Sequence, residues 1–220
     1  MRTPKKELNG SRWVKIFLFS EKRGMQFKVK IKDEKVIKKP RNGLDMFFRC
    51  LSYRSWHVFK EMKRLKEERR KSVQIIRSSN IEERMVARAE FRDGKIIQDR
   101  IRIIDEVLSN PTDFGYLDKK EVIDSVIDFR IECWKRGFGE TTFNYTINYG
   151  AYPDGEIALI DIGELTESKK RIKKMIEEKK WLSQWSYFAH TPSDLKGYFR
   201  EQMARKVTKE KLDEVWEAKT

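Results

Sequence analysis

The stretch "NYGAYPDGEIALIDIG", residues Asn148 to Gly163, holds two apolar runs on either side of a Pro-Asp-Gly turn. Such a turn between two strand-like runs predicts a β-hairpin. The second run, Ile157 to Ile162, is interrupted once, by Asp161. A buried carboxylate without a partner is costly. Asp161 is therefore expected either in a turn just past the strand or beside a partner that makes it part of a site.

Upstream of this hairpin, the sequence predicts a sheet with one helical insertion. Alternating and apolar runs indicate strands, and apolar residues at helical spacing follow the third of them. The predicted strands cover residues 13–20, 26–31, 35–39, 72–78, 84–91 and 96–104. The helical stripes are Leu44, Phe47, Phe48 and Leu51, then Phe59, Met62 and Leu65.

The second half of the chain is predicted to be mainly helical. Residues 119–137 carry apolar side chains at helical spacing and end at Gly137, a typical helix stop. A basic amphipathic helix is expected over residues 168–182. Two further helices are expected over residues 192–206 and 208–218, with Ser193 and Thr208 as their N-terminal capping residues.

Composition restricts the class of partner. The 220-residue chain has 49 Lys and Arg against 35 Asp and Glu, a net charge of +14. This balance favours nucleic acid, phosphorylated ligands or an anionic membrane surface, with a solvated basic surface as the alternative. Cys50 and Cys133 are expected to be reduced core thiols, and they are too far apart to suggest zinc. No segment is apolar enough to span a membrane or direct secretion, which predicts a soluble cytoplasmic protein.

Three short motifs follow the order of the predicted elements. "VIK", Val36 to Lys38, ends the third strand, and "DIG", Asp161 to Gly163, ends the hairpin. Asn148 precedes Asp161 by 13 residues, across that hairpin. In this order of motifs and elements, from Arg12 to the C-terminus, the chain resembles the protein-kinase-like fold.

The resemblance implies an α+β, two-lobed fold with ATP between the lobes. An N-terminal antiparallel sheet with one helix would form residues 1–91, and a shortened helical C-terminal lobe would form residues 92–220. The two lobes would make a single kinase-like domain. The brevity of the chain after Asp161 resembles small-molecule kinases and disfavours protein substrates.

The resemblance also implies roles for individual residues. Lys38 would hold the ATP phosphates, and Glu61, near the apolar face of the following helix, would pair with it. Glu67 and Glu68 are expected on the solvated surface. Asn148 and Asp161 would bind Mg²⁺. Asn144 is a weaker alternative to Asn148.

Two features depart from the family pattern. Five residues before Asn148, where kinases carry a catalytic aspartate, stands Phe143, and five before Asn144 stands Gly139. Glu140 is the nearest carboxylate, either a base or substrate-orienting group or the cap of a turn. The phosphate-covering loop has one glycine, Gly24, in place of a Gly-x-Gly-x-x-Gly pattern.

Three functional hypotheses remain. The first is an atypical kinase that binds ATP and Mg²⁺ and phosphorylates an unknown acceptor, with Glu140 and Asp161 as catalytic residues. The second is a pseudokinase of the same fold that acts as a partner-binding module. The third is a basic nucleic-acid-binding protein that uses the helix "ESKKRIKKMIEEKK". No helix-turn-helix, RNP or zinc signature supports the third.

Overall fold

The computed structural model describes residues 26–52, 57–109, 118–184 and 186–216. Its N-terminal part is a four-stranded antiparallel sheet with the strand order β1-β2-β4-β3. The strands are β1 (Phe27–Lys32), β2 (Lys35–Pro40), β3 (Glu90–Arg92) and β4 (Lys95–Asp99). The predicted first strand, residues 13–20, and Gly24 lie outside the described residues.

The register of the sheet fixes where Lys38 lies. Lys38 pairs with Val29 of β1 on one side and with Ile96 of β4 on the other. It is therefore in a central strand and half-buried, while its neighbour Lys39 is exposed. This alternation is the period-2 pattern of a strand.

Two helices, α1 (Gly43–Ser52) and α2 (Val58–Ser78), connect β2 to β3. Helix α2 buries Leu65, Ser72, Ile75 and Ile76, which lie on one helical face. The hydroxyl Oγ of Ser72 accepts a hydrogen bond from the backbone N of Leu165, at 2.9 Å. Helix α2 is thereby attached to the segment that follows Asp161.

The remaining elements are mostly helical, as predicted. They are β5 (Arg102–Ile103), α3 (Ile104–Ser109), α4 (Lys119–Lys135), β6 (Gly139–Glu140), α5 (Tyr145–Asn148), β7 (Tyr149–Ala151), β8 (Ile157–Leu159), β9 (Leu165–Thr166), α6 (Lys169–Glu177), α7 (Lys196–Lys206) and α8 (Lys209–Val215). Strands β5, β7 and β8 form a second small sheet, and β6 pairs with β9.

The long helix α4 organises the core. Asp118 caps it through a capping box with Glu121, and Ile123, Ile127 and Trp134 are almost completely buried. One hydrophobic cluster extends from Phe27 in the first sheet through α4 to Leu212 in α8. Among the described residues no helix is long and apolar enough to cross a membrane.

The α+β class, the N-terminal antiparallel sheet and the hairpin are confirmed. β7 and β8 pair antiparallel with Tyr149 opposite Leu159, and Gly155 has a φ of 87°, which the turn requires. The predicted cap at Thr208 is also present, since its side chain accepts from the backbone N of Lys211.

Several predicted elements are wrong. Residues 72–78 belong to helix α2. Residues 84–86 lie in a 3₁₀ turn, Glu83–Val86, which left-handed Ala87 and Arg88 follow, and only Glu90 and Phe91 of the predicted strand 84–91 lie in a strand, β3. Both runs are short and apolar, and such runs do not distinguish a strand from a buried helix. The side chain of Ser193 caps no helix, because a 3₁₀ turn, Ser193–Leu195, precedes α7.

The predicted boundary between residues 91 and 92 falls inside β3. The partner strand of β3 is β4, so the first sheet continues beyond this boundary to Asp99.

Candidate functional site

The site lies where the hairpin β7–β8 ends. The backbone N atoms of Ile160 and Asp161 both donate to the carbonyl oxygen of Asn148, at 2.8 and 3.1 Å. The Asp161 carboxylate accepts from the backbone N of Gly163 at 3.2 Å. The hairpin therefore holds Asn148 and Asp161 side by side, as the spacing of 13 residues predicts.

Lys38 reaches this point from the first sheet. Its Nζ donates a hydrogen bond to the carbonyl oxygen of Ile160, the residue before Asp161. Burial lowers the pKa of the Lys38 ammonium group, and the nearby Asp161 carboxylate opposes this shift. Lys38 of the first sheet thus contacts the segment that follows β8, 122 positions further along the chain.

The side chain of Asn148 has a fixed orientation. Its Nδ2 donates to Oε1 of Glu140 at 3.2 Å and to Oγ1 of Thr142 at 2.8 Å. Both partners at this end of the amide are hydrogen-bond acceptors, so this end must be the donor, which is the nitrogen. The oxygen Oδ1 consequently lies at the other end, and it has no hydrogen-bond donor within the described parts of the chain.

Glu140 is buried and fully paired. Its side chain forms an ion pair with Arg130 at 2.9 Å, and both side chains are at most 4% exposed. It also accepts from the backbone N atoms of Thr142 and Phe143, at 2.7 and 2.9 Å, and from the Thr142 hydroxyl. A carboxylate with this many donors fits a positioning role; its predicted role as a base stays a prediction.

Phe143 occupies the position where a catalytic aspartate was sought. Its ring is buried and lies 3.7 Å from the guanidinium carbon of Arg130. Its φ of 55° is in the left-handed region, which is costly for a bulky residue. The loop of Glu140 to Phe143 is therefore held tightly around Arg130.

The predicted pair of Lys38 and Glu61 is not formed in this structure. Glu61 bonds to Arg64 of its own helix, with Arg64 Nη2 2.5 Å from Glu61 Oε1. Glu68 lies nearer the site, and its side chain is only 20% exposed. The predicted position of Glu68 on the solvated surface is wrong, because one face of α2 packs along the segment around Leu165.

Two residues of the site were missed from the sequence. Gln26 is buried, and its Nε2 donates to the carbonyl oxygen of Gly163 at 3.4 Å. Glu164 is half-buried, and its pKa is raised to about 8, first by burial and then by the carboxylates of Asp161, Glu140 and Glu68. In the sequence alone, neither residue differs from a polar residue that has no role in a site.

Arg130 was also missed, but the sequence does carry a signal for it. It stands among Ile123, Ile127 and Trp134 at helical spacing, on the apolar face of α4. A single cation on a buried face needs an anionic partner, and Glu140 follows ten residues later.

The site offers oxygen ligands suited to a hard cation. Asn148 Oδ1 and the Asp161 carboxylate would provide two ligands, and phosphate oxygens would provide others, as Mg²⁺ usually requires. No group of three or more His, Cys, Asp and Glu side chains that could hold a metal occurs in the described residues. Mg²⁺ bound together with a polyphosphate does not require such a group.

Comparison with protein-family models and with curated proteins gives no match for this chain. The functional argument is therefore made from the geometry of the site.

Proposed function

We propose that the chain is an atypical kinase-like protein that binds ATP and Mg²⁺ between its N-terminal sheet and its helical part. It would transfer phosphate to an acceptor that the geometry does not specify. One observation carries this proposal: Lys38, Asn148 and Asp161, predicted from separate motifs, meet at the end of one hairpin. The order of sheet, helix α2, helix α4 and hairpin supports it as well.

Each residue has a distinct role in this proposal. The Lys38 ammonium group would leave the Ile160 carbonyl and bind the phosphates, which are better acceptors because they are charged. Asn148 and Asp161 would hold Mg²⁺, which neutralises the phosphate charge when bound. Glu140 keeps the amide nitrogen of Asn148 occupied and so directs its oxygen to the metal.

A second function, nucleotide binding without transfer, is favoured by the bonding of Glu140. An effective general base needs a free lone pair within hydrogen-bond reach of the acceptor hydroxyl. Glu140 is buried and already accepts from Arg130, Thr142, Phe143 and Asn148. The pseudokinase hypothesis therefore remains open beside the kinase hypothesis.

The nucleic-acid hypothesis has less support, because many cations of its proposed helix are paired. In α6, Lys169 and Lys173 both form ion pairs with Asp213 of α8, at 3.0 and 2.6 Å. Lys174 lies 3.7 Å from Glu178. Phosphate groups would have to displace these carboxylates.

A thermal-shift experiment tests the proposal. ATP with Mg²⁺ at roughly 100 times Kd is expected to raise the Tm by about 5 to 10 °C. Asp161→Asn and Lys38→Met should each remove most of this shift, because each removes a charge that faces the phosphates or the metal. Asp194→Asn and Lys39→Met are matched controls at exposed positions and should keep the shift.

The absence of a shift with every nucleotide tested, in a folded wild-type protein, would contradict the proposal. ATP turnover then separates the two functions. If Glu140 positions Asn148, Glu140→Gln should weaken the Mg²⁺-dependent shift and turnover together. If Glu140 is a base, turnover alone should fall. A retained shift without wild-type turnover indicates the binding module.

A further inference from the structure

Helix α1 has two apolar faces, and the described parts of the chain leave the outer face exposed. Met46 and Cys50 form the inner face and are buried against Val58 and Leu65 of α2. Leu44, Phe48 and Leu51 form the outer face, at the helical spacing i, i+4 and i+7, and are 68%, 59% and 54% exposed. A solvent-facing stripe of this kind needs an explanation, because single exposed apolar residues are common but aligned ones are not.

Phe59 at the start of α2 extends this stripe. It is 76% exposed, and its ring centroid lies 5.7 Å from that of Phe47, whose ring in turn contacts Phe48. The two helices therefore present one continuous apolar surface, which consists of Leu44, Phe48, Leu51 and Phe59.

A row of cations continues from Phe59 along α2. Phe59 and Met62 line one shallow groove together with Lys63, Lys66 and Arg70. Lys60 is also exposed beside Phe59. None of these four cations forms an ion pair with another described residue, and Glu67 is the single carboxylate in the groove. The neighbouring Arg64, in contrast, is neutralised by Glu61 and Glu68.

We infer that this apolar surface and its row of cations, which we call the α1–α2 face, bind the surface of an anionic phospholipid bilayer. Large apolar side chains beside unpaired Lys and Arg residues are the composition of interfacial membrane-binding elements. The apolar side chains enter the boundary between headgroups and acyl chains, and the cations contact the anionic headgroups. Binding at the surface requires no membrane-spanning helix.

Two other partners fit this face less well. A second copy of the chain would bring an identical row of cations to the interface, and like charges repel each other. Nucleic acid would use the cations but would leave Leu44, Phe48 and Leu51 in water. The bilayer is the partner whose chemistry uses both halves of the face.

Vesicle flotation of the full chain tests this inference. We expect the protein to float with vesicles that contain phosphatidylserine and to stay at the bottom of the gradient with pure phosphatidylcholine. Phe48→Ser combined with Phe59→Ser should reduce the floating fraction about tenfold, and Lys63→Ser combined with Lys66→Ser should reduce it and weaken its salt dependence.

Two controls match these variants. Phe188→Ser removes an aromatic residue that is 60% exposed outside this face, and Lys30→Ser combined with Lys32→Ser removes two exposed cations from β1. Both should float as the wild type does. Circular dichroism and thermal unfolding verify folding, and light scattering measures the oligomeric state.

Four outcomes would overturn the inference. The first is equal flotation with anionic and neutral vesicles, or no flotation. The second is loss of flotation in the controls as large as in the face variants. The third is that the wild-type protein does not float but forms an oligomer, and that Phe48→Ser combined with Phe59→Ser dissociates this oligomer. That result would assign the face to a second copy of the chain. The fourth is oligonucleotide binding that needs the lysines but not the phenylalanines, which would assign the cations to nucleic acid.

Discussion

Glu164 is a half-buried carboxyl group that faces the carboxylates of Asp161, Glu140 and Glu68. Burial and these three charges raise its pKa from 4.5 to about 8. A carboxyl group with a raised pKa binds its proton more tightly in the folded than in the unfolded state. The contribution of Glu164 to stability is therefore lost progressively as the pH rises from 4.5 towards 8.

This linkage predicts the behaviour of Glu164→Gln, which mimics the protonated side chain. Near pH 4 both proteins carry a neutral group in both states, so their Tm values should agree. As the pH rises from 4.5 towards 8, Glu164 ionises in the unfolded wild type but stays protonated in the folded protein, so the wild type loses stability and the variant should become the more stable protein. Thermal unfolding across this pH range measures the difference.

Glu83→Gln, at an exposed position of the 3₁₀ turn, is the control and should show no such pH-dependent gain. A Tm difference between Glu164→Gln and wild type that is constant with pH would contradict the raised pKa.

At the scale of residues, the sequence predicts that two side chains lie close together when one short element joins them. Asn148 and Asp161 are joined by one hairpin, so their separation in sequence determines their separation in space. Glu164 and Gln26 are different, because part of their environment comes from residues distant in sequence: Glu140 and Glu68 act on Glu164, and Gln26 donates to the carbonyl oxygen of Gly163. A single sequence contains no local pattern for such contacts.

At the scale of elements, the pairing of β5 with β7 depends on Gly150. Gly150 lies opposite Ile103, and a Cβ at this position would be 2.8 Å from the backbone oxygen of Arg102. Because backbone cannot rotate away as a side chain can, β5 and β7 would have to separate. β7 is also the strand that leads directly from Asn148.

Gly150→Ala is accordingly expected to lower the free energy of unfolding by about 1 to 3 kcal/mol and to weaken the Mg²⁺-dependent thermal shift. Urea unfolding measures the first effect. Gly197→Ala is the control: nothing lies within 4 Å of its new Cβ, and at the second residue of helix α7 it should not lower the free energy of unfolding. A Gly150→Ala protein as stable as Gly197→Ala would show that the strands adapt.

A helix is predicted correctly from the sequence where its apolar periodicity is long and capping residues mark both of its ends. The helix α4 has a capping box, long apolar periodicity and a glycine after its end, and it was predicted within two residues of its observed bounds. Residues 72–78 lack such signals. They continue the charged run of α2, and their burial against the Leu165 segment, a tertiary contact, decides that they are helical.

At the scale of the whole molecule, the sheet and the helices share one core. Ile96 of β4 and Val126 of α4 belong to the same hydrophobic cluster and are 2% and 1% exposed. Lys38 of β2 and Gln26, which directly precedes β1, add hydrogen bonds to the segment Ile160 to Gly163. Contacts of this extent predict that the two parts unfold together.

Ile96→Ala provides the test of this coupling. Removal of a buried isoleucine costs about 2 to 5 kcal/mol, which corresponds to a Tm decrease of roughly 5 to 15 °C in a chain of this size. If the molecule unfolds as one unit, hydrogen exchange should accelerate equally in the peptides of β1–β2 and of α4, although only the sheet carries the change. Lys30→Ala, at an exposed position of β1, should leave both peptides unchanged. Acceleration confined to β1–β2 would show instead that the sheet unfolds on its own, and the site between Lys38 and Asp161 would then open without loss of the helical part.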